Sequence, residues 1–243
     1  MRLLIIRHAD PDYSIDSLTE TGWREASILS QRLTREKIDH FYVSPLGRAR
    51  DTARDTMKFF GREAIVLDWL QEFPPRILRP DADGARKVSW DWLPQDWTAD
   101  ERLFDKDRWK ENEILREAGV GEVYDQVCRG LDGLLAEHGY VRDGHLYRVE
   151  NANTETIALF CHFGLESVLL SHLMNCSPYI LWQGFAAAPT SVSTLYTEER
   201  REGKAYFRAA ALGDISHLYA AGESPSFSAR FCECYSNFDE RHD

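Results

Sequence analysis

The sequence begins with a short apolar run, Leu3-Leu4-Ile5-Ile6, which is followed directly by Arg7-His8-Ala9-Asp10-Pro11. Four apolar residues, two of them β-branched, fit a strand that is buried on both faces. Pro11 prevents a simple continuation of that strand. In open α/β sheets ligands bind at the carboxyl ends of the strands, so Arg7 and His8 lie where chemistry is expected. An exposed pair in an ordinary turn would give the same short motif.

Two further stretches have the same form. Tyr42-Val43-Ser44 reads as a strand that leads into a helix with Arg48 in its first turn, and Ile157-Ala158-Leu159-Phe160-Cys161 reads as a strand that ends at His162. In a parallel sheet these three strand ends meet at one edge, so their side chains can converge on one pocket. Two arginines and two histidines there would suit a dianion, because arginine forms bidentate charge-assisted hydrogen bonds with phosphoryl oxygens.

Taken together, these motifs resemble those of the histidine phosphatase superfamily, the phosphoglycerate-mutase-like family with an Arg-His motif at its N-terminus. The resemblance runs from residue 1 to about Leu218. It implies an α/β fold in which a mostly parallel central sheet is flanked by helices. The Leu18-Thr19-Glu20-Thr21-Gly22 entry into a helix is also a habit of this family, and Thr19 or Thr21 can cap that helix.

The resemblance places His8 at the position of the phosphate-accepting histidine. Such a nucleophile needs a neutral imidazole whose second nitrogen donates to a fixed acceptor. Arg7 and Arg48 would hold the phosphoryl oxygens, with Ser44 as a further substrate-binding residue. His162 is expected to be protonated beside the dianion and to add a donor in the transition state, although alone it could be a core histidine. No metal and no cofactor is expected, because the arginines supply the positive charge.

The leaving oxygen also needs a proton. Ala64-Ile65-Val66-Leu67 reads as a further strand, and Glu72 lies shortly after it, where the family often places its acid. A carboxyl group that faces a phosphate should have a raised pKa. The same group could then act as base for the water that cleaves phosphohistidine. Glu72 could instead be an exposed loop residue, and Asp68 and Asp10 are the alternative acids.

Four residues depart from the family pattern, namely Ala9, Asp10, Asp12 and Phe163. Ala9 and Asp10 stand where the family usually has Gly and then Glu or Gln, and Asp10 and Asp12 bring negative charge near a phosphate. They could disfavour anions or select a substrate with a cationic group. Phe163 replaces the Gly that commonly follows the second histidine, and it could narrow the pocket.

Composition limits the possible functions. The chain has 243 residues, 43% hydrophobic and 28% charged, with a net charge of -11. This balance argues against nucleic-acid binding, which needs basic surfaces. No apolar run approaches the roughly 20 residues of a membrane span, and the start lacks a signal-peptide pattern. Five scattered cysteines, including Cys232 and Cys234, lack metal-type spacing and suggest reduced thiols, so a cytoplasmic protein is expected.

The order of elements predicts one α/β domain over residues 1–220. Residues 73–121, rich in Pro and Trp, are interpreted as an inserted, mostly helical cap over the carboxyl edge of the sheet. Most of its tryptophans are expected to form the cap's own small core, with one or two lining a substrate pocket. A hairpin is predicted around Asp143-Gly144 and a final strand pair around Glu202-Gly203. The structure of the tail, residues 221–243, and the oligomeric state are not predicted.

Three functions fit these features. The first is a metal-independent phosphatase of the histidine acid phosphatase type, acting on a small phosphomonoester through a phosphohistidine. The second is a phosphoglycerate-type mutase, which would need extra basic residues; Arg76, Arg79, Arg86 and Lys87 follow Glu72, but not in a tight pattern. The third is a catalytically idle phosphate-binding or regulatory module with the same fold.

Overall fold

Eight strands form one mixed sheet in the computed structural model, which describes residues 1–79, 82–226, 228 and 236. Four further strands form two separate pairs. In chain order the strands are β1 Arg2–Arg7, β2 Pro11–Asp12, β3 Ser17–Leu18, β4 His40–Val43, β5 Ile65–Val66, β6 Arg76–Leu78, β7 Arg86–Val88, β8 Tyr140–Asp143, β9 Leu146–Val149, β10 Thr156–Cys161, β11 Val192–Arg201 and β12 Lys204–Asp214. The separate pairs are β2 with β3 and β6 with β7.

Helices cover both faces of the sheet. They are α1 Glu20–Leu33, α2 Gly47–Phe60, α3 Pro94–Trp97, α4 Glu113–Glu117, α5 Val120–Glu137, α6 Phe163–Met174, α7 Pro178–Gly184 and α8 Ser216–Ala221, with 3₁₀ turns at Asp68–Leu70, Glu101–Phe104 and Arg108–Glu111. None of the helices in the described part of the chain combines the length and apolar character needed to cross a membrane.

The strand order is β5-β4-β10-β1-β11-β12-β9-β8. The half that contains β5, β4, β10 and β1 is parallel, whereas β11, β12, β9 and β8 join through antiparallel pairings. The α/β fold is therefore as predicted. Its parallel half brings the ends of β1, β4 and β10 to one edge.

Strand β1 is buried on both faces, as its apolar run predicts. Leu3 and Ile5 belong to the cluster that contains residues of α5 and α6, whereas Leu4 and Ile6 pack in the cluster that contains residues of α1 and α2. All four side chains are at most 2% exposed. This alternation follows from the two-residue period of a strand, and it fixes the strand between two helical layers.

Most of the predicted elements form close to their expected positions. The Thr19 hydroxyl accepts a hydrogen bond from the Gly22 backbone N–H at 3.0 Å and caps α1. The hairpin at Asp143-Gly144 pairs β8 with β9, and Gly144 has the positive φ of 59° that favours glycine in such a turn. Helix α7 was not predicted.

The segment 73–121 differs from its prediction in two ways. It begins with a hairpin of β6 and β7 rather than with helices, and only short helical turns follow. Trp92 and Trp109, at 4% and 0% exposed, belong to the same buried cluster as Ile5 and Leu159 of the sheet. The prediction of a separate small core is therefore wrong for these two tryptophans, because the segment shares the core of the sheet. The division into one domain of residues 1–220 and a tail stays a prediction.

Three cysteines are free thiols in the structure. Cys128 and Cys161 are buried and Cys176 is half-buried. Burial raises the pKa of Cys128 to about 12, so this thiol is a poor nucleophile. Cys232 and Cys234 lie outside the described residues.

Candidate active site

The strand ends meet as predicted, because the parallel pairing continues to the last residue of each strand. The His8 backbone N–H donates to the Cys161 carbonyl at 2.9 Å, and the Ser44 N–H donates to the Phe160 carbonyl at 2.9 Å. The rings of His8 and His162 consequently lie side by side, with centroids 5.1 Å apart. With Arg7 and Arg48, these two histidines form what we call the anion site.

His8 has the features of a nucleophile. Its Nδ1 lies 2.7 Å from the Ala9 carbonyl oxygen. A carbonyl oxygen only accepts hydrogen bonds, so Nδ1 carries the proton and the lone pair of the neutral ring is on Nε2. Burial, and then the charges of Arg7 and Arg48, hold the pKa of His8 well below its usual value. The imidazole is therefore neutral at physiological pH.

His162 is fully buried and is held by Ser44. Its Nε2 lies 2.7 Å from the Ser44 hydroxyl oxygen, which also accepts from the Leu46 N–H at 3.2 Å. Burial, and then the neighbouring His8 and arginines, hold the pKa of His162 well below its usual value, so it is neutral in this structure. The expected protonation of His162 concerns a complex with a dianion and stays a prediction. The contacts of Ser44 favour a positioning role over direct substrate binding.

The two arginines are nearly inaccessible, at 2% exposure for Arg7 and 8% for Arg48. One terminal nitrogen of Arg7, Nη1, donates to the carbonyl oxygens of Ala187 and Ser228. Arg48 Nη1 donates to Asp16 Oδ1 at 2.6 Å. Among the described residues the Nε atoms of both arginines and Nδ1 of His162 are buried without a hydrogen-bond partner. The two guanidinium N–H groups suit an oxyanion, since buried polar groups are normally paired, and Nδ1 of His162 would become a further donor once its ring is protonated.

Asp16 orients Arg48, and sequence reasoning missed it. Its Oδ2 accepts from the Gly47 N–H at 2.7 Å, and a Cβ atom at Gly47 would collide with the Asp16 carbonyl. Asp16 lies in a polar loop without any motif, so only the close approach of this loop to α2 identifies it. The ring of Tyr13, in the same loop, lies 5.4 Å from the Arg48 guanidinium carbon.

Glu72 lies in the loop after the 3₁₀ turn that Asp68 begins. Its Oε1 accepts from the Phe73 N–H at 2.8 Å and from the Leu165 N–H of α6 at 3.1 Å. Burial raises the pKa of Glu72, although these two hydrogen bonds and the charge of Arg7 oppose the shift. A carboxyl group with a raised pKa beside the anion site fits the predicted acid. The alternative of an exposed loop residue does not fit this half-buried position.

Gly164 allows Glu72 and Trp90 to approach α6. A Cβ atom at Gly164 would lie 2.6 Å from Trp90 Nε1 and 2.8 Å from Glu72 Oε1. Trp90 also packs edge-on against Phe163, with ring centroids 5.7 Å apart. Phe163 is buried, and the Arg7 guanidinium carbon lies 6.0 Å from its ring centroid; the expected narrowing of the pocket by Phe163 stays a prediction. Trp90 is thus the tryptophan that lies beside the candidate site.

We expect Gly164→Ala to destabilise the protein by about 1–3 kcal/mol, the usual cost of overpacking, and to displace Glu72. The free energy of unfolding and the rate with an alkyl phosphate would measure both effects. Gly133→Ala in α5 is the matched control, because a Cβ atom there meets nothing within 4 Å. The control should gain up to about 1 kcal/mol from helix propensity. Equal stability of the two variants would contradict the close contact at Gly164.

The two aspartates that depart from the family pattern differ in position. Asp12 accepts two hydrogen bonds from Ser14 and caps an exposed turn. Asp10 is half-buried, and its carboxylate accepts from the Thr19 hydroxyl at 2.7 Å and from the Ser228 hydroxyl. Asp10 therefore lies next to the anion site, because Ser228 contacts both Asp10 and Arg7. Its expected contact with substrate stays a prediction.

Part of the tail reaches the anion site. Ser228 accepts from Arg7 through its carbonyl oxygen at 2.9 Å and donates to Asp10 through its hydroxyl. The Ser226 N–H donates to Glu25 Oε1 at 3.2 Å, and Glu25 is fully buried. No pattern in the tail predicted these contacts.

Glu166 was also missed. It is fully buried on α6, and its N–H donates to the His162 carbonyl at 2.8 Å. Its Oε1 accepts from the Ser193 hydroxyl at 2.6 Å, and burial raises its pKa to about 7. The sequence of α6 is mostly apolar around Glu166, so a single acidic residue there did not indicate a functional site.

Two arginines and two histidines meet at the carboxyl ends of the parallel strands of an α/β sheet. This arrangement defines a class of proteins whose site can bind a phosphate group. The comparison with known families agrees, because residues 3–208 match the histidine phosphatase superfamily (branch 1). The chain belongs to this family.

Relatives in this family include two kinds of enzyme. The chain is 26% identical over 210 residues to phosphoserine phosphatase 1 of Hydrogenobacter thermophilus, covering 83% of this chain and 89% of that protein. It is 32% identical over 155 residues to a probable phosphoglycerate mutase of Photorhabdus laumondii, covering 57% and 70%.

A similar fold occurs in a solved structure, a phosphoserine phosphatase mutant from Entamoeba histolytica in complex with phosphoserine. The TM-score is 0.56 at 16% identity, and the match covers 89% of this chain and 98% of that one. This likeness supports the fold.

Proposed function

We propose that the protein is a metal-independent phosphatase that hydrolyses a small phosphomonoester through a phosphohistidine at His8. The observation that carries this proposal is the hydrogen bond from His8 Nδ1 to the Ala9 carbonyl. That bond leaves the lone pair of the neutral ring on Nε2, beside two buried arginines. A neutral imidazole with a fixed tautomer is what attack on phosphorus requires.

The reaction has two steps. In the first, Arg7 and Arg48 hold the phosphoryl oxygens, His8 Nε2 bonds to phosphorus, and the ester oxygen leaves with the proton of Glu72. In the second, the Glu72 carboxylate takes a proton from water, the water oxygen bonds to phosphorus, and the bond to Nε2 breaks. Before the first step, binding of the dianion offsets the charge of the arginines, so that His162 takes up one proton from solvent; it keeps this proton through both steps and donates a hydrogen bond to a phosphoryl oxygen. Each step moves one phosphoryl group and one proton.

The substrate class is inferred from the burial of the anion site and from the relatives. The four residues of the anion site are at most 8% exposed, which suits a small phosphomonoester rather than a large phosphorylated polymer. The relative from Hydrogenobacter and the structure from Entamoeba are both phosphoserine phosphatases, and phosphoserine carries the cationic group that Asp10 could accept. Phosphoserine is therefore the first substrate to test.

A phosphoglycerate-type mutase is the second candidate, because a probable mutase is among the relatives. A mutase needs free basic groups for a second substrate. Here Arg86 Nη1 donates to the Arg76 carbonyl at 3.1 Å within the β6–β7 hairpin, and Arg79 pairs with Asp91 at 3.2 Å. Two of the four cations, Arg79 and Arg86, are therefore already engaged, which favours the phosphatase. An idle phosphate-binding module is disfavoured by the complete anion site and by Glu72.

A panel of phosphorylated metabolites, including phosphoserine and 3-phosphoglycerate, would test the proposal. We expect release of inorganic phosphate from at least one of them in the absence of added metal. Transfer of phosphate between positions of phosphoglycerate without its release would support the mutase instead. Binding of phosphate without any turnover would support the idle module.

We expect activity to be unaffected by EDTA, because the positive charge at the anion site comes from Arg7 and Arg48. Phosphate release before and after exhaustive treatment with the chelator is the measurement. If EDTA abolished turnover while circular dichroism showed the fold intact, and a divalent ion restored turnover, the arginine-based mechanism would be wrong.

A further inference from the structure

Two histidines and a glutamate meet at the edge of the sheet opposite the anion site. His40 is the first residue of β4, Glu155 directly precedes β10, and His138 directly follows α5. Strands β4 and β10 are parallel neighbours, so the residues at their amino ends lie side by side. We call His40, His138 and Glu155 the amino-edge cluster. All three residues are half-buried.

The possible ligand atoms of this cluster converge on one point. His138 Nδ1 lies 2.9 Å from Glu155 Oε2, and His40 Nε2 lies 3.6 Å from the same oxygen. One ligand atom from each residue fits within 4.8 Å of the other two. Tetrahedral zinc, with bonds of about 2.0–2.2 Å, places neighbouring ligand atoms roughly 3.4 Å apart. Shifts of about an ångström in partly exposed side chains would therefore produce this geometry.

Tyr42 contacts His138, the least exposed of the three residues. Its hydroxyl oxygen lies 2.9 Å from His138 Nε2, and the side chain of His138 is only 8% exposed. Without a metal, Nδ1–H donates to the Glu155 carboxylate at 2.9 Å and Nε2 accepts from the Tyr42 hydroxyl. Zinc binding would move the ring proton to Nε2, whose N–H would then donate to the Tyr42 hydroxyl, and the lone pair of Nδ1 would face the ion. Metal-binding histidines usually have such an outer hydrogen bond, which sets the tautomer and the orientation of the ring.

We propose that the amino-edge cluster binds one Zn²⁺ ion through His40 Nε2, His138 Nδ1 and a carboxylate oxygen of Glu155, with water as the fourth ligand. Two imidazoles and one carboxylate suit zinc, whereas Mg²⁺ and Ca²⁺ prefer oxygen ligands alone. No metal site was predicted from the sequence, because the three ligands come from three separate segments. Without zinc, the same residues would form only a network of hydrogen bonds.

The zinc would act on stability rather than on catalysis. Ser44 follows the last residue of β4 and His162 follows the last residue of β10, whereas the amino-edge cluster lies at the start of both strands. Six residues of β10 separate the two sites, which is roughly 20 Å at the rise of a strand. The ion would link β4, β10 and the end of α5, and it would stabilise the folded state by binding to it alone.

The test uses the full-length chain without an affinity tag, since a histidine tag would itself bind zinc. After removal of metal by a chelator, zinc is titrated in competition with a chromogenic chelator, and Co²⁺ is added separately to record its visible absorption. We expect one zinc per chain, a tetrahedral cobalt spectrum and a rise in Tm of about 5–10 °C at a free zinc concentration of 100 Kd. Phosphatase activity should not change.

Point variants distinguish zinc binding by the amino-edge cluster from zinc binding by other histidines. His40→Ala, at a partly exposed position, should weaken zinc binding about 100-fold or more and remove the rise in Tm. Tyr42→Phe should weaken it about 10-fold, as expected for an outer partner. His145→Ala is the matched control, because this exposed histidine contacts Asn175 instead. Absence of zinc binding by the wild-type chain, or equal binding by His40→Ala and His145→Ala, would overturn the proposal.

Discussion

His8→Ala should abolish the covalent intermediate and lower kcat by a factor on the order of 10³ to 10⁶, the usual cost of removing an enzyme's nucleophile. The reason is geometric. His8 Nε2 carries the lone pair beside Arg7 and Arg48, and no described cysteine is reactive enough to replace it. Rapid acid-free quench of the enzyme with ³²P-labelled substrate should trap an acid-labile phosphoprotein in the wild type.

His162→Ala serves as the comparison for this experiment. It removes a neighbouring imidazole of the same anion site, so it should slow phosphorylation but still allow label to accumulate on His8. A stable label that survives in His8→Ala would remove His8 from the role of nucleophile. Circular dichroism of both variants would show that the fold is retained.

Glu72→Gln should produce the second-largest effect, and this effect should depend on the leaving group. An alkoxide leaves phosphorus slowly unless its oxygen is protonated, and positioned acids contribute about 10²- to 10⁴-fold. A phenolate such as p-nitrophenolate leaves well without a proton. Single-turnover phosphorylation of Glu72→Gln should therefore be slowed far more with an alkyl phosphate than with p-nitrophenyl phosphate.

Two variants test the alternative acids with the same pair of substrates. Asp68→Asn changes a carboxyl group in the adjacent 3₁₀ turn, and Asp10→Asn changes the carboxyl group that contacts Thr19 and Ser228. We expect neither variant to distinguish the two substrates. Equal slowing of both substrates by Glu72→Gln, together with selective slowing by Asp10→Asn, would assign the acid to Asp10.

The pH dependence should follow from the shifted pKa values of His8 and Glu72. The pKa of His8 is lowered well below its usual value, so its neutral form persists into acidic solution. The pKa of Glu72 is raised, so its protonated form persists above the usual range of a carboxyl group. Phosphorylation by an alkyl phosphate should therefore be fastest in acidic solution and fall as pH rises through the pKa of Glu72. This decline should be weaker in Glu72→Gln, as measured by kcat/KM across pH.

The sequence by itself determined the parts of the protein that depend on short-range patterns. The apolar run before Arg7 specified a strand buried on both faces, and the same pattern before His162 specified its parallel neighbour. On the assumption of a parallel sheet, the sequence predicted that His8, Arg48 and His162 converge, whereas the structure supplied the order of the strands that places β1, β10 and β4 side by side. Capping of α1 by Thr19 and the hairpin at Asp143-Gly144 likewise depend only on residues close together in the sequence.

Only the tertiary structure decided which distant segments complete the candidate site. Asp16 orients Arg48 because its loop folds onto Gly47, and Ser228, one of the described residues of the tail, contacts Arg7 and Asp10. Trp92 and Trp109 join the core of the sheet because burial of a large aromatic surface is favourable wherever a partner surface is available. Contacts between residues far apart in the chain leave no periodic pattern in the sequence, since they depend on how completed elements pack. The amino-edge cluster has the same origin, with its three ligands supplied by two neighbouring strand starts and the end of one helix.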